Sequence, residues 1–299
     1  LAVGLALEYT PAASRWEVLE MFRIAAQYSV SCHVHMRGVG RVEPASSIEG
    51  LAELIAASVT TGAPIHVVHI SSSGLRATPH LLQMIEEARA NGLDITTECY
   101  PYETASTTID GAALSEGWQE KKEIDYGDLE WALTGERLTA STFAEYREIG
   151  GKVFLHSIPP EIVEEAVASP LTMIATDGAV REGTGHPRTA GTYSRVLGRF
   201  VRDSGSLTIM DALRKFSLMP AQRLEARVPG FRKKGRVSVG ADADLMLFDP
   251  DRVIDRATFR EPALPPEGIP YVIVNGAPVG QNGPIVEDVW PGQEIRSSS

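Results

Sequence analysis

Two pairs of histidines are the residues of this sequence whose types and spacing point most directly to chemistry. His33 and His35 share one short run rich in β-branched residues, and His66 and His69 share another. Neutral imidazoles are common zinc ligands, so a cluster of this kind predicts a metal site. The alternative is that these histidines are buried and hydrogen-bonded to the backbone. Because four of the seven histidines of the chain lie in these two runs, the sequence favours the metal site.

The segment between the two runs has the length and pattern of a helix. Its apolar residues recur at helical spacing, at Ile48, Leu51, Ile55 and Val59. A strand, a helix and a second strand predict two parallel neighbouring strands, with His35 and His69 near their carboxyl ends. Parallel α/β sheets carry their chemistry at that edge. Alternation along a strand places His33 and His35 on one face, whereas His66 and His69 do not share a face.

The preceding and following segments extend this alternation. Residues 1–9 read as a buried strand that ends near Glu8, and residues 93–102 read as another strand. A helix capped by Ser14 and a helix beginning at Pro79 complete four strands and three helices in alternation. This order predicts an α/β protein with a parallel and closed sheet. Residues 103–150 interrupt the alternation of strands and helices and are rich in aromatic residues. We therefore expect an ordered insertion that covers the opening of the catalytic site.

The second half of the chain predicts more α/β structure and then a small β domain. A buried strand at 171–178 ends in Asp177, and helices are expected at about 194–203 and 208–216. From residue 234 the sequence has β patterns separated by turns. We therefore predict a barrel portion over residues 1–233 and a C-terminal β portion over 234–299.

Composition limits the possible partners. The net charge of −11 argues against nucleic acid and against anionic membranes as partners. There is no apolar run of membrane-spanning length and no secretory signal, so we expect a cytoplasmic protein. Cys32 and Cys99 lie far apart in apolar runs, which indicates a reducing compartment without a disulfide framework. The first residue is Leu, and we expect it to be internal to a longer chain. The sequence leaves the oligomeric state open.

Six motifs, in order, carry a resemblance to a known family. They are His-Met-Arg at 35–37, His-x-x-His at 66–69, Tyr-Pro-Tyr at 100–102, Thr-Asp-Gly at 176–178, His-Pro-Arg-x-x-Gly-Thr at 186–192 and Gly-x-Asp-Ala-Asp-Leu at 240–245. Over nearly its whole length the chain resembles the metal-dependent amidohydrolase superfamily, and within it the N-acyl-D-amino-acid deacylases. The resemblance implies a partial TIM-like β/α barrel of the amidohydrolase type with a small C-terminal β domain.

The resemblance also implies a cofactor and its ligands. It implies one or two Zn²⁺ ions, with His35 and His69 as the metal histidines of the fifth and sixth barrel strands. Glu8 stands where many amidohydrolases place a bridging carboxylate; the alternative is a surface Glu. The family's first metal motif, His-x-His, and its cysteine ligand are absent from this sequence, as expected for a chain that begins at the fourth strand.

The implied substrate is a small N-acyl amino acid. Arg188 matches a family Arg and could clamp a carboxylate through both nitrogens; the alternative is a solvated loop Arg. Tyr100 and Ser106 match polar substrate contacts. Ser71 stands where D-aminoacylases carry a Lys that helps to hold the substrate carboxylate, so the substrate itself is left open.

The implied chemistry is hydrolysis of a C–N amide bond that is not a peptide bond. Zinc would lower the pKa of a water molecule toward ~7. Asp177 could move the proton to the leaving nitrogen, and Tyr100 could hydrogen-bond the developing oxyanion. The alternatives are a turn-forming Asp177 and a Tyr100 that only packs at the rim. For the whole chain, the competing functions are a cyclic-amide hydrolase of the hydantoin or dihydropyrimidine type and an inactive fragment or ligand-binding scaffold.

Overall fold

The computed structural model describes residues 2–296 of the 299-residue chain. Two compact units are present, Ala2–Thr172 and a second unit from Met173 onward. We predicted that the barrel portion ends at residue 233 and that the C-terminal β portion begins at residue 234. This domain boundary remains a prediction.

A parallel sheet organises the first unit. Its strands are β1 (Ala2–Ala6), β2 (Ser31–His35), β3 (Ile65–Val67) and β4 (Ile95–Cys99). They pair in chain order and all in parallel, with Gly4 opposite His33 and His33 opposite His66. The predicted strand–helix alternation is confirmed. β1 and β4 end earlier than predicted, so that Glu8 and Tyr100 lie just beyond their carboxyl ends.

Helices connect these strands and continue into the rest of the first unit. They are α1 (Arg15–Gln27), α2 (Ser47–Thr61), α3 (Ile70–Gly74), α4 (Thr78–Ala90), α5 (Trp118–Lys122), α6 (Ala140–Ile149) and α7 (Pro160–Ala168). Ser14 with Glu17, and Ser46 with Glu49, form capping boxes that satisfy the first backbone N–H groups of α1 and α2. The helix predicted from Ser14 is confirmed, whereas α3 was not expected.

The core of the first unit lies between the sheet and its helices. Phe22 of α1, Leu51 of α2 and Ile85 of α4 are fully buried together with Ile65 of β3. Burial of large apolar side chains of this kind is the main source of stability in such a layer.

One glycine of α2 permits a close backbone approach. A Cβ on Gly50 would lie 2.0 Å from the carbonyl oxygen of Arg37, which follows β2. Any larger residue would therefore push α2 away from the end of the strand that carries His35.

Residues 103–158 fold as an antiparallel module with its own core. Its strands are β5 (Ala105–Thr108), β6 (Leu129–Trp131) and β7 (Lys152–Leu155), in the order β5-β7-β6. Trp118, Trp131 and Phe143 are buried in a hydrophobic cluster under this sheet. The segment is thus ordered, as the aromatic content predicted, and β7 is its central strand.

The second unit contains short strands and a helical region. β8 (Thr172–Ile174) begins at the last residue of the first unit, and the strands that follow it are β9 (Val180–Arg181), β10 (Thr184–Gly185), β11 (Leu245–Leu247), β12 (Tyr271–Val274) and β13 (Ala277–Gln281). The helices are α8 (Arg188–Arg195), which continues as a π-helix over Val196–Asp203, α9 (Ile209–Leu213), which continues as a π-helix over Arg214–Leu218, and α10 (Met219–Glu225).

The C-terminal strands form an antiparallel sheet in the order β11-β12-β13. This confirms the β character predicted after residue 234. Several large apolar side chains beside these strands are exposed, among them Val239, Ile285 and Trp290. In residues 2–296, the structure has no helix with both the length and the hydrophobicity needed to cross a membrane.

Candidate metal and active site

His35 and His69 meet at the carboxyl ends of β2 and β3. Their ring centroids are 4.4 Å apart and the rings are nearly perpendicular, at 78°. His35 is the last residue of β2, and Tyr9 packs edge-on against it with a centroid distance of 5.0 Å. The parallel strands therefore bring the two histidines together, as their sequence spacing predicted.

The backbone positions His69 differently from what we predicted. It was predicted to lie on the strand, but β3 ends at Val67 and His69 precedes α3. The residue has a left-handed backbone conformation with φ of +33°, which is uncommon for a side chain of this size. Strain of this kind often accompanies functional positions, and the ring of this residue contacts that of His35. Ser72 Oγ lies 2.9 Å from His69 Nδ1 and fixes the orientation of the ring.

The protonation state of His35 suits a metal ligand. Burial, together with the nearby charges of His69 and Lys122, lowers the pKa of His35 to about 3. The imidazole is therefore neutral at pH 7 and can donate a nitrogen lone pair to a metal.

The donor set fits part of a zinc site. Two imidazoles supply two of the four ligands that tetrahedral zinc takes in proteins. Within residues 2–296, no group of three or more His, Cys, Asp or Glu residues is arranged to hold a metal ion. The described residues thus account for a histidine pair and not for a complete coordination shell.

Glu8 lies at the same end of the sheet as the histidine pair. Its Oε2 accepts a hydrogen bond of 3.2 Å from the Gly38 N–H, and its Oε1 is 3.9 Å from Lys122 Nζ. The side chain is 18% exposed, which disfavours the alternative of an ordinary surface Glu.

Three further predicted site residues lie in the first unit in different surroundings. Tyr100 follows β4, is 1% exposed and has its ring centroid 6.4 Å from that of His69. Ser106 is in β5 opposite Phe154 and is only partly buried. Ser71 is fully buried in α3, and its Oγ has no hydrogen-bond partner in the described part of the chain. A small buried Ser71 cannot extend a charge toward a ligand as a Lys would.

Asp177 and Arg188 lie together in the second unit. Arg188 Nη2 is 2.8 Å from Asp177 Oδ2, and the Arg188 side chain is almost fully buried whereas that of Asp177 is partly exposed. The Arg188 N–H donates to His186 Nδ1 at 3.0 Å, which holds the first turn of α8. Asp177 has φ of +46°, so the turn predicted for Asp-Gly is present as well as the carboxylate.

The other histidine pair forms a separate polar network deeper in the sheet. The rings of His33 and His66 are 4.8 Å apart, and His66 Nε2 lies 2.9 Å from Glu98 Oε2. His66 Nδ1 lies 2.8 Å from Thr96 Oγ1. Burial raises the pKa of Glu98, but the hydrogen bond and charge of His66 outweigh it, and the pKa lies below its usual value. These contacts support the structural role that we expected for His33 and His66.

Sequence reasoning missed Lys122. This lysine is buried in the inserted module and its charge acts on His35. It follows another lysine in a segment without clear periodicity, so no sequence signal distinguished it from a solvated residue.

A parallel α/β sheet with two histidines in contact at its carboxyl edge defines a class, the α/β proteins that carry their chemistry at that edge. Comparison with known proteins identifies the family within that class. A sequence profile of the amidohydrolase family matches residues 11–280, and the chain belongs to this family. The resemblance found in the motifs and the predicted α/β fold of the amidohydrolase type are confirmed.

Individual relatives agree with the family. The chain is 28% identical to an N-acyl-D-glutamate deacylase and 30% identical to a D-aminoacylase, both from Alcaligenes xylosoxydans xylosoxydans, over 95% of this chain in each case. It spans 58% of the length of each of these curated relatives.

A solved structure agrees as well. The N-acyl-D-glutamate deacylase of Bordetella bronchiseptica, complexed with zinc and a phosphonate inhibitor, superposes with a TM-score of 0.82 at 29% identity. The match covers 99% of this chain and 63% of that one.

Proposed function

We propose that the protein hydrolyses the amide bond of N-acyl-D-amino acids with the help of zinc. The observation that carries this proposal is the contact between His35 and His69 at the carboxyl edge of the parallel sheet, with ring centroids 4.4 Å apart. Support comes from the relatives, which are named as deacylases of this substrate class. The proposal includes a small-molecule partner and a cytoplasmic location, and it leaves the oligomeric state open.

His35 and His69 would hold the zinc ion. The Ser72 hydroxyl beside Nδ1 of His69 leads us to assign Nε2 of that ring to the metal. Glu8 is the carboxylate we assign to the metal's surroundings. When bound, zinc would supply Lewis acidity toward the substrate carbonyl and a lowered pKa for a water molecule.

Five other side chains have proposed roles toward the substrate. Asp177 would accept a proton and return it to the leaving nitrogen. The Tyr100 hydroxyl would donate a hydrogen bond to the carbonyl oxygen as negative charge develops on it. Arg188 would bind the α-carboxylate, and Ser106 and Ser71 would contribute neutral hydrogen bonds. These roles rest on the sequence pattern, and the burial of Ser71 limits it to a supporting contact.

A substrate panel tests the proposal. The purified protein is supplied with zinc and incubated with N-acetyl-D-methionine, N-acetyl-D-glutamate, the L-enantiomers of both and dihydrouracil. At zinc concentrations high enough to fill the weak two-histidine site, we expect release of the D-amino acid, no release from the L-enantiomers, and loss of activity with a chelator that returns when zinc is restored. Opening of dihydrouracil without deacylation would favour the cyclic-amide alternative. Absence of all turnover in a zinc-loaded protein would contradict the proposal.

A further inference from the structure

The outer face of α1 carries large apolar side chains that the fold leaves exposed. Trp16 is 63% exposed, Ile24 is 43% exposed, and Tyr28, which caps the carboxyl end of the helix, is 70% exposed. The opposite face of α1 packs into the core through Val18 and Phe22. Aromatic side chains gain much free energy from burial, so two of them this accessible on one helix indicate an interaction surface.

Two charged residues lie among these apolar side chains. Glu20 and Arg23 form an ion pair across one helical turn, and their side chains are 46% and 44% exposed. The guanidinium of Arg23 lies over the Trp16 ring, 4.9 Å from its centroid. With 3.6 residues per turn, residues 16, 20, 23 and 24 share one face of the helix, and Tyr28 borders it. This face therefore has an aromatic residue at each end and both signs of charge between them.

The arrangement is complementary to itself. If two copies of α1 pack antiparallel about a two-fold axis at the level of Phe22, Trp16 of each copy lies at the level of Tyr28 of the other. Glu20 of each copy then lies within one residue, about 1.5 Å along the axis, of the level of Arg23 in the other. A two-fold interface has this property, because residue i contacts residue j and residue j contacts residue i. The charge pattern thus favours a second copy of this chain as the partner.

We propose that the outer face of α1 is a homodimer interface in which the two helices run antiparallel. The aromatic residues supply the apolar contact, and Glu20 of each copy pairs with Arg23 of the other. Tryptophan, tyrosine and arginine are the residue types enriched at the centre of such contacts. One pair of helices buries a small area, so the dimer should be weak and its population should depend on protein concentration. The inference does not depend on the proposed function.

Charge reversal tests this interface. Sedimentation velocity of the full chain over a concentration series should show a monomer–dimer equilibrium, with a chelator present so that zinc cannot link two copies. Glu20→Arg and Arg23→Glu should each raise the dissociation constant by about tenfold or more, because like charges then face each other. An equimolar mixture of these two variants should regain the dimer, since opposite charges meet in the heterodimer. The mixture rules out an effect of the ion pair within one helix, because neither variant can form that pair.

A second variant tests the apolar contact. Trp16→Gln should raise the dissociation constant by about tenfold or more. Val59→Gln is the matched control, since it removes a side chain that is 69% exposed on another helix, α2, and it should leave the dissociation constant unchanged. Circular dichroism checks that each variant is folded.

Three outcomes would overturn the inference. The first is a wild type that stays monomeric at every concentration. The second is a mixture of the charge-reversal variants that is no more dimeric than either variant alone. The third is a dimer that persists in all the α1 variants, which would place the contact on another surface, such as the exposed apolar side chains beside the C-terminal sheet.

Discussion

Arg188 and Asp177 form an ion pair in which the cation is buried and the carboxylate is partly exposed. Nη2 of Arg188 lies 2.8 Å from Oδ2 of Asp177, with side-chain exposures of 5% and 43%. From the sequence we predicted separate roles for the two residues. Arg188 was predicted to bind a carboxylate and Asp177 to transfer a proton. The ion pair would couple these two proposed roles, because the guanidinium holds the Asp177 carboxylate in place and Asp177 neutralises the buried Arg188.

Replacing Asp177 with Asn tests the proton-transfer role. The amide cannot carry the proton to the leaving nitrogen, so kcat should fall by about 10²-fold or more. Zinc content should stay at the wild-type level, since Asp177 is not one of the two histidines assigned to the metal. Steady-state kinetics beside metal analysis measures both quantities. Asp203→Asn, at another carboxylate of the second unit that pairs with an arginine, is the control and should leave kcat unchanged. An unimpaired Asp177→Asn enzyme would remove Asp177 from the mechanism.

Replacing Arg188 with Ala should raise KM, and because of the ion pair it should also lower kcat. Loss of the guanidinium removes a carboxylate contact and frees Asp177 to leave its position. In the double variant with Asp177→Asn, the loss in kcat/KM should be smaller than the product of the two single losses, since residues in direct contact are not additive. A double-variant cycle on kcat/KM measures this coupling. Additive losses would show that the two residues act independently.

The order of elements in the first unit could be predicted from sequence because its signals are local. Capping boxes at Ser14 and Ser46 and apolar spacing in α2 depend on residues a few positions apart. The place of His69 could not be predicted, since the early end of β3 and the left-handed turn depend on how α3 packs. The burial of Lys122 could not be predicted for a related reason, because it follows from the tertiary fold of the inserted module.

The close approach of α2 to the end of β2 predicts sensitivity at Gly50. A methyl group there would meet the Arg37 carbonyl oxygen, a backbone atom that cannot rotate away. Gly50→Ala should lower the free energy of unfolding by about 1–3 kcal/mol, although alanine is the better helix former. Gly127→Ala is the matched control, since a Cβ there meets nothing within 4 Å. Urea denaturation of both variants measures the difference, and equal stability of the two would contradict the close contact.

His156 predicts a pH dependence of stability. Its Nε2 lies 3.0 Å from Glu130 Oε2 and its Nδ1 3.2 Å from Thr104 Oγ1, in a site that Asp128 and Arg137 also face. Burial and the charge of Arg137 lower the pKa of His156 below its usual 6.5, although Glu130 opposes the shift. Below pH 6.5 the unfolded chain therefore binds a proton at this histidine more readily than the folded chain does. Proton binding then favours the unfolded state, so the free energy of unfolding is highest above pH 6.5 and decreases as the pH falls below it.

Substitution of His156 by Gln should therefore make stability less dependent on pH. Between about pH 7.5 and about pH 5.5, the zinc-free wild type should lose more unfolding free energy than His156→Gln does. Urea denaturation at both pH values gives the two slopes. His80→Gln, at an exposed histidine of α4, should keep the wild-type slope. A steeper slope in His156→Gln would reverse the sign argued for this histidine.

Zinc binding by this 299-residue chain should be weak and should depend on both histidines of the pair. His35 and His69 supply two nitrogen ligands, and residues 2–296 contain no arrangement of three or more metal-binding side chains. Because zinc affinity rises with the number and pre-organisation of ligands, two imidazoles should bind it far less tightly than a complete site. His35→Asn and His69→Asn should each reduce the affinity further, by about tenfold or more. His80→Asn should leave it unchanged, since this exposed histidine lies on α4. Calorimetric titration with zinc measures all four proteins. Tight binding that survives loss of either His35 or His69 would place the metal elsewhere and remove the basis of the proposed site.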